Sequence, residues 1–175
     1  VTLENIATIY QSQGAYKESL EHHIQALDIA REIGNKREEG LTLGNMGDLY
    51  YKRNEPVKAQ SHLEKAIQLC DNTIPAGAGA FRGTLALIFA QNGDTSQALA
   101  VIEAGEPQVE SMPIEHGKFL CKKAQVLHSA EKPVLALEAL NQAVKITETL
   151  SVTPESDLGQ LIIETQDLLG QPPPP

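Results

Sequence analysis

The chain predicts an all-α fold, a solenoid of antiparallel helix pairs, on three observations: the sequence repeats itself about every 40 residues, its apolar residues recur with helical period, and its breakers fall where such pairs must turn. A shift of 40 matches Leu3 with Leu43, Asn5 with Asn45, Tyr10 with Tyr50, His22 with His62 and Ala26 with Ala66. Ile6 with Met46, Ala7 with Gly47 and Ile9 with Leu49 fill the spaces conservatively. The register continues through Leu85, Ala86, Phe89, Gly93, Ala98 and Ile102, then through Ala124, Leu127, Ala136, Leu140, Ala143 and Ile146. A fixed period in this range marks stacked units, none of which buries its apolar face alone. About four repeats follow.

The first repeat spans about 2–34, with helices expected at 2–13 and 16–33. Leu3, Ile6, Ala7 and Tyr10 lie at i, i+3, i+4 and i+7; after Gly14 the stripe resumes at Leu20, Ile24 and Leu27. The second spans 36–72 with helices at 36–53 and 56–71, where Asn35 with Glu38 reads as a capping box and Pro56 fits a first turn. The third spans 76–105 with helices at 76–92 and 95–104, and Asp94 with Gln97 reads as a second capping box. Its opening run GAGAFRG predicts a loosely packed, mobile start, since each internal glycine costs about 1 kcal/mol of helix stability. The fourth spans 113–150 with helices at 113–130 and 133–150, opened by Pro113 and Pro133. A ninth helix at 154–169, opened by Pro154 and carrying Leu158, Leu161, Ile162, Leu168 and Leu169, is expected to cap the stack. The array therefore covers 1–170, and 171–175 is a proline-rich tail or linker. No run alternates with period 2, so no strands are expected.

Composition narrows the function classes. With 175 residues, 41% hydrophobic and 21% charged, the chain is expected to be folded and soluble rather than disordered. A net charge of −9 repels phosphate backbones and anionic lipid, so neither nucleic acid nor a membrane is an expected partner. The stretch from Ile74 to Asn92 is interrupted by Pro75, Gly77, Gly79, Arg82 and Gly83, which is wrong for a membrane span. Cys70 and Cys121 show no ligand spacing, as expected for a reducing compartment or a chain indifferent to redox, and a cytoplasmic setting is the expectation. The amino end has neither a basic n-region nor an apolar h-region and opens directly on a helical pattern, so the chain reads as a piece of a longer protein.

Chemistry is not expected of it. His22, His23, His62, His116 and His128 accompany no metal-ligand spacing, and adjacent His22 and His23 point about 100° apart on a helix. His23 is expected in the core, with His22 and His62 facing solvent near repeat junctions. No GxSxG is present, and GAGAFRG follows no strand and lacks the Lys-Ser/Thr of a phosphate loop. The expectation is a protein with no enzymatic activity, no metal and no cofactor.

The run Ile6-Ala7-x-x-Tyr10-x-x-x-Gly14-x-Tyr16-x-x-Ser19-x-x-x-His23-x-x-Ala26-Leu27 resembles a tetratricopeptide repeat, and Met46, Gly47, Tyr50, Ala59, Leu63 and Ala66 carry the resemblance into the second unit. Small residues belong where helices cross closely, so Ala7, Gly47, Ala86 and Ala124 mark the crossings. The 40-residue spacing, with LDIAREIGNKREEGLTLGNMGDLYY, is similar to the subgroup of kinesin light chain, spindle-orientation adaptors and bacterial signalling proteins. Lys123, Gly105 and Pro133 depart from the pattern. The resemblance implies a right-handed superhelix whose first helices line a concave groove for a peptide or protein segment. It places Asn5, Thr8 and Gln11, then Asn45, Asp48 and Lys52, then Thr84, then Lys122 and Gln125 on that groove. An amide there both donates and accepts, which suits a ligand main chain. Acidic Glu4 and Asp48 lie early, and Lys118 and Lys122 late, a polarity that would orient a segment of mixed charge. The leading expectation is a non-catalytic protein-binding module. A peptide sensor controlling an attached signalling domain, and a self-association module forming homo-oligomers, stand as alternatives.

Overall fold

The computed structural model describes residues 2–170, and the expected tail at 171–175 lies outside them. Nine helices and no strands occur among the described residues: α1 (Leu3–Ser12), α2 (Tyr16–Glu32), α3 (Lys36–Lys52), α4 (Pro56–Cys70), α5 (Pro75–Gln91), α6 (Thr95–Val109), α7 (Pro113–Ser129), α8 (Pro133–Leu150) and α9 (Asp157–Leu168). They form two compact units, one up to Leu85 and one from Ala86, with the division inside α5.

In the first unit the starts of α1 and α3 are built by side chains that accept orphan amides. Thr2 accepts from the Asn5 amide at 3.3 Å and Asn35 from the Glu38 amide at 3.2 Å. Gly14 and Gly34 take φ of +74° and +69°, which lets Ala15 N donate to Tyr10 O and Asn35 N to Ala30 O as α1 and α2 end. The core is filled by Ala7, Leu27, Leu43, Leu49, Leu63 and Ala66, all buried. Burial of a leucine contributes about 1.5–3 kcal/mol, so Leu49 and Leu63 outweigh any single cap.

The closest packing runs along α3. A Cβ added to Gly47 would lie 2.7 Å from Leu63 Cγ, one on Gly40 would lie 2.7 Å from Cys70 Sγ, and one on Gly44 would overlap the Phe81 ring. These glycines, at i, i+4 and i+7, share one face, which receives side chains of α4 and α5. The expected loose start of the third repeat is therefore corrected. The segment from Pro75 is continuous helix, with Ala78, Phe81 and Leu85 buried, and Arg82 holds Asp71 through Nη1–Oδ1 at 2.6 Å and Nη2–Oδ2 at 2.8 Å. Apolar neighbours compensate the glycines' weak propensity.

In the second unit two boundaries differ from expectation. α6 does not stop at 104 but runs through Gly105 and Pro107 to Val109. Pro107 stands in the last turn, where the missing N–H removes only one ladder bond, and Gly105 and Val109 are buried. The extension also brings Glu106 Oε2 within 2.6 Å of Lys123 Nζ, which gives the lysine at an otherwise apolar slot its partner. α9 starts at Asp157 rather than at Pro154, because Ser156 Oγ caps it by accepting from the Gly159 amide at 3.0 Å. Asp94 makes no cap bond; Gln97 Nε2 donates to its Oδ2 at 2.6 Å, so the expected second capping box is absent. The core of this unit joins Leu120, Cys121, Ala124, Ala136, Leu140 and Ala143 to Leu158 and Ile162 of α9.

Gly44→Ala sets two effects against each other. Helix propensity gains about 1 kcal/mol, whereas the displaced Phe81 ring costs about 1–3 kcal/mol of overpacking. We expect net destabilisation in chemical denaturation, with Gly34→Ala as a control for a glycine that touches nothing within 4 Å but has positive φ.

Candidate functional site

In the first unit the face predicted for ligand contact is organised by a carboxylate from α1. Glu4 Oε1 accepts from Thr42 Oγ1 at 2.7 Å, and its Oε2 accepts from Asn45 Nδ2 at 3.1 Å. The same Oε2 stands 3.2 Å from His23 Nδ1. The carboxylate of α1 thereby meets side chains of α2 and α3, two of which, His23 and Thr42, are only 1% exposed. Burial of Glu4 pushes its carboxyl up, but the hydrogen bonds and charge of His23, with Thr42 and Asn45, outweigh it and hold the group below the ordinary glutamate range. This meeting of three helices was missed by sequence reasoning, which placed Glu4 on an open surface. The spacing put Glu4 beside the Asn5 slot, but nothing in one dimension showed which neighbour it would meet.

The predicted contact residues separate accordingly. Asn5 and Lys52 are exposed, and so is Thr8, whose hydroxyl donates to the Glu4 carbonyl at 2.9 Å. Gln11 is half-buried, and half-buried Asp48 has one carboxylate oxygen, Oδ1, that is buried without a hydrogen-bond partner among the described residues. Asn45 is engaged by Glu4. Thr84 is 2% exposed, within a helix whose other residues are mostly apolar. In the second unit Lys122 is half-buried, and Gln125 Nε2 donates to Thr165 Oγ1 of α9 at 3.0 Å. Lys118 is paired with Glu115 at 3.1 Å.

Three of the histidines and both cysteines pack into the protein. His23 is buried as expected, whereas His22 and His62 are half-buried rather than solvent-facing. His22 stacks on Tyr10 with centroids 5.4 Å apart, and His62 packs on Tyr50 at 5.0 Å. The signal for this pairing was present, since both tyrosine and histidine recur at the 40-residue shift. Burial raises the Cys70 thiol to about 11 and the Cys121 thiol to about 12, which suppresses the thiolate a nucleophile needs. Among the described residues no three His, Cys, Asp or Glu side chains stand as a metal group, and no helix is long and apolar enough to cross a membrane.

Residues 1–72 match the tetratricopeptide repeat family. Over these residues the chain is similar to tetratricopeptide repeat proteins. A search of the curated proteins finds no match. Among solved structures the chain is similar to BtubC (BKLC) from P. vanneervenii, with a TM-score of 0.68 and 14% identity over 86% of this chain and 64% of that one. It is also similar to nearly identical TPR-like repeats of kinesin light chain type from Podosopora anserina, at a TM-score of 0.64 and 16% identity over 96% of this chain and 85% of that one. A third is YrrB, a TPR protein with an unusual peptide-binding site, at a TM-score of 0.52 and 18% identity over 94% and 90%. These likenesses show an all-α helical-repeat solenoid fold, and the chain spans 64% of the length of BtubC. Tetratricopeptide repeats serve in general as protein-interaction modules.

Glu4→Ala leaves Thr42 and His23 buried beside a missing acceptor, so a loss of about 1–3 kcal/mol is expected in urea denaturation at neutral pH. The pH dependence follows from the lowered Glu4 carboxyl. Its stabilisation is complete above the unfolded value near 4.5 and disappears as pH falls through the lower folded value. The stability difference between parent and Glu4→Ala should therefore shrink as pH falls below the value of the unfolded carboxyl.

Proposed function

We propose that the chain is a non-catalytic protein-binding module that takes a peptide or protein segment along the outward side of α1 and α3. The observation that carries this reading is the tetratricopeptide match over residues 1–72, within which Asn5, Thr8 and Lys52 are exposed on the first helices of their pairs. Asn5 is the amide that serves the ligand main chain, because its counterpart Asn45 is engaged by Glu4. Half-buried Asp48 and exposed Lys52 lie one turn apart on α3, so a carboxylate and an ammonium stand in sequence along that helix, with half-buried Gln11 on α1. A segment of mixed charge is oriented by that order. Buried Thr84 and Gln125, engaged by Thr165, supply packing rather than contact, and Lys122 is half-buried in the second unit. Buried thiols are consistent with a module that performs no chemistry and carries no cofactor. A cytoplasmic setting accords with free Cys70 and Cys121.

The test is affinity capture from a native lysate with the parent chain beside an Asn5→Ala, Lys52→Ala variant, both checked for helicity by circular dichroism. Loss of a partner that the parent retains, followed by a fall of about tenfold or more in affinity for the isolated partner, is the expected result, equivalent to about 1.4 kcal/mol. Equal retention by both chains removes this face from the reading.

A further inference from the structure

Asn92-Gly93 is the one place in the 175 residues where glycine follows asparagine. It lies just past α5, which ends at Gln91. Asn92 still belongs to the helix ladder, its amide donating to the Ile88 carbonyl at 3.1 Å. Gly93 then turns the chain at φ +80° and donates to the Ala90 carbonyl at 3.1 Å, while the Asp94 amide donates to the Phe89 carbonyl at 2.9 Å. Asn92 and Gly93 are both exposed, and a Cβ added to Gly93 would meet nothing within 4 Å. The repeat supplies a close comparison. Gln13-Gly14 ends α1 in the same way, with Gly14 at φ +74° donating to the Gln11 carbonyl at 3.1 Å and Ala15 to the Tyr10 carbonyl at 2.9 Å. At the residue before the glycine the two turns differ by one methylene.

We propose that Asn92 is a site of spontaneous covalent modification, at which the Gly93 backbone nitrogen captures the side-chain amide carbon, asparagine becomes aspartate or isoaspartate, and the turn between α5 and α6 loosens. The Gly93 nitrogen gives up its proton and attacks Cγ of Asn92. The new C–N bond closes a five-membered imide, and the Cγ–Nδ2 bond breaks as Nδ2 takes up a proton and leaves as ammonia. One water then opens the imide. Attack at Cγ restores the main chain with an aspartate, whereas attack at the main-chain carbonyl carbon leaves Gly93 joined through Cγ, which is isoaspartate. Ring closure requires Asn92 to rotate about its Cα–C bond, which breaks the hydrogen bonds of the Gly93 and Asp94 amides and leaves the bond to Ile88 in place. Both lie at a helix end, where local opening costs least. Glycine has no side chain to obstruct the rotation. Gln13 would have to close a six-membered ring, which forms more slowly. The other asparagines all precede residues with side chains, and Asn5, Asn45 and Asn141 are held inside helices as well. The product changes the turn. A carboxylate appears at the carbonyl end of α5, where negative charge is disfavoured, with that of Asp94 two residues on. Isoaspartate also inserts a carbon into the main chain, which takes the Asp94 amide out of register with the Phe89 carbonyl.

The test holds the full chain at physiological temperature and mildly alkaline pH and follows it by peptide mapping with mass spectrometry. A gain of one mass unit is expected in the peptide carrying Asn92, divided between aspartate and isoaspartate, with Gln13 and the other asparagines unchanged over the same period. Hydroxylamine, which intercepts the imide, should leave a hydroxamate at that position, and an Asn92→Gln chain should stay unmodified there. A free peptide with the sequence from Leu87 to Gln97 sets the rate without the fold. An intact Asn92 in the chain once that peptide has converted, or earlier conversion of another asparagine, would overturn the assignment. The converted chain, separated by its added charge, should exchange its Asp94 amide hydrogen about tenfold faster than the parent. Unchanged protection of that amide would overturn the loosening of the turn.

Discussion

The first unit depends on how closely α3 can be approached. Gly40, Gly44 and Gly47 present bare backbone along one side of that helix, and Cys70, Phe81 and Leu63 occupy the volume that three Cβ atoms would fill. Each glycine weakens the helix by about 1 kcal/mol relative to alanine. The buried leucine and phenylalanine contribute about 1.5–3 kcal/mol apiece, enough to offset that weakness and to make the glycines a requirement of the packing.

On its other sides α3 is held by polar contacts. Thr42 and Asn45 reach Glu4 of α1, and Glu39 receives Arg31 of α2 at 3.0 Å and Lys36 at 2.8 Å. Such contacts have directional demands that apolar packing lacks, so they fix the rotation of α1 about its axis and with it the outward aim of Asn5. The two equivalent asparagines have consequently parted in role. Asn45 has a carboxylate beside it and closes a bond within the protein, whereas Asn5 is exposed.

Most of the architecture was legible in the sequence because periodicity is a property of one dimension. Helical spacing, the crossing residues Ala7, Gly47, Ala86 and Ala124, and the buried His23 all follow from position within a repeat. What escaped depends on neighbours in space. Asn45 and Gln125 fall on the side of the helix assigned to ligand, yet a carboxylate from α1 and a hydroxyl from α9 reach them first. Gly105 and Pro107 resemble a helix stop, but buried Val109 and the Glu106–Lys123 pair draw the helix onward. GAGAFRG reads as weak by propensity alone; Phe81 seated on Gly44 and Arg82 clasping Asp71 supply what propensity lacks. The glycines of α3 were visible as letters, while the close approach they permit required the partners to be known.

Residue-resolved native-state hydrogen exchange tests most directly whether α3 is the element on which the first unit rests. Amides from Leu43 to Leu49 should exchange only through the full unfolding of that unit, with α1 amides opening at lower free energy because α1 is shorter and joined through a half-buried carboxylate. Exchange of the α3 amides as fast as those of α1 under the same conditions would contradict the account.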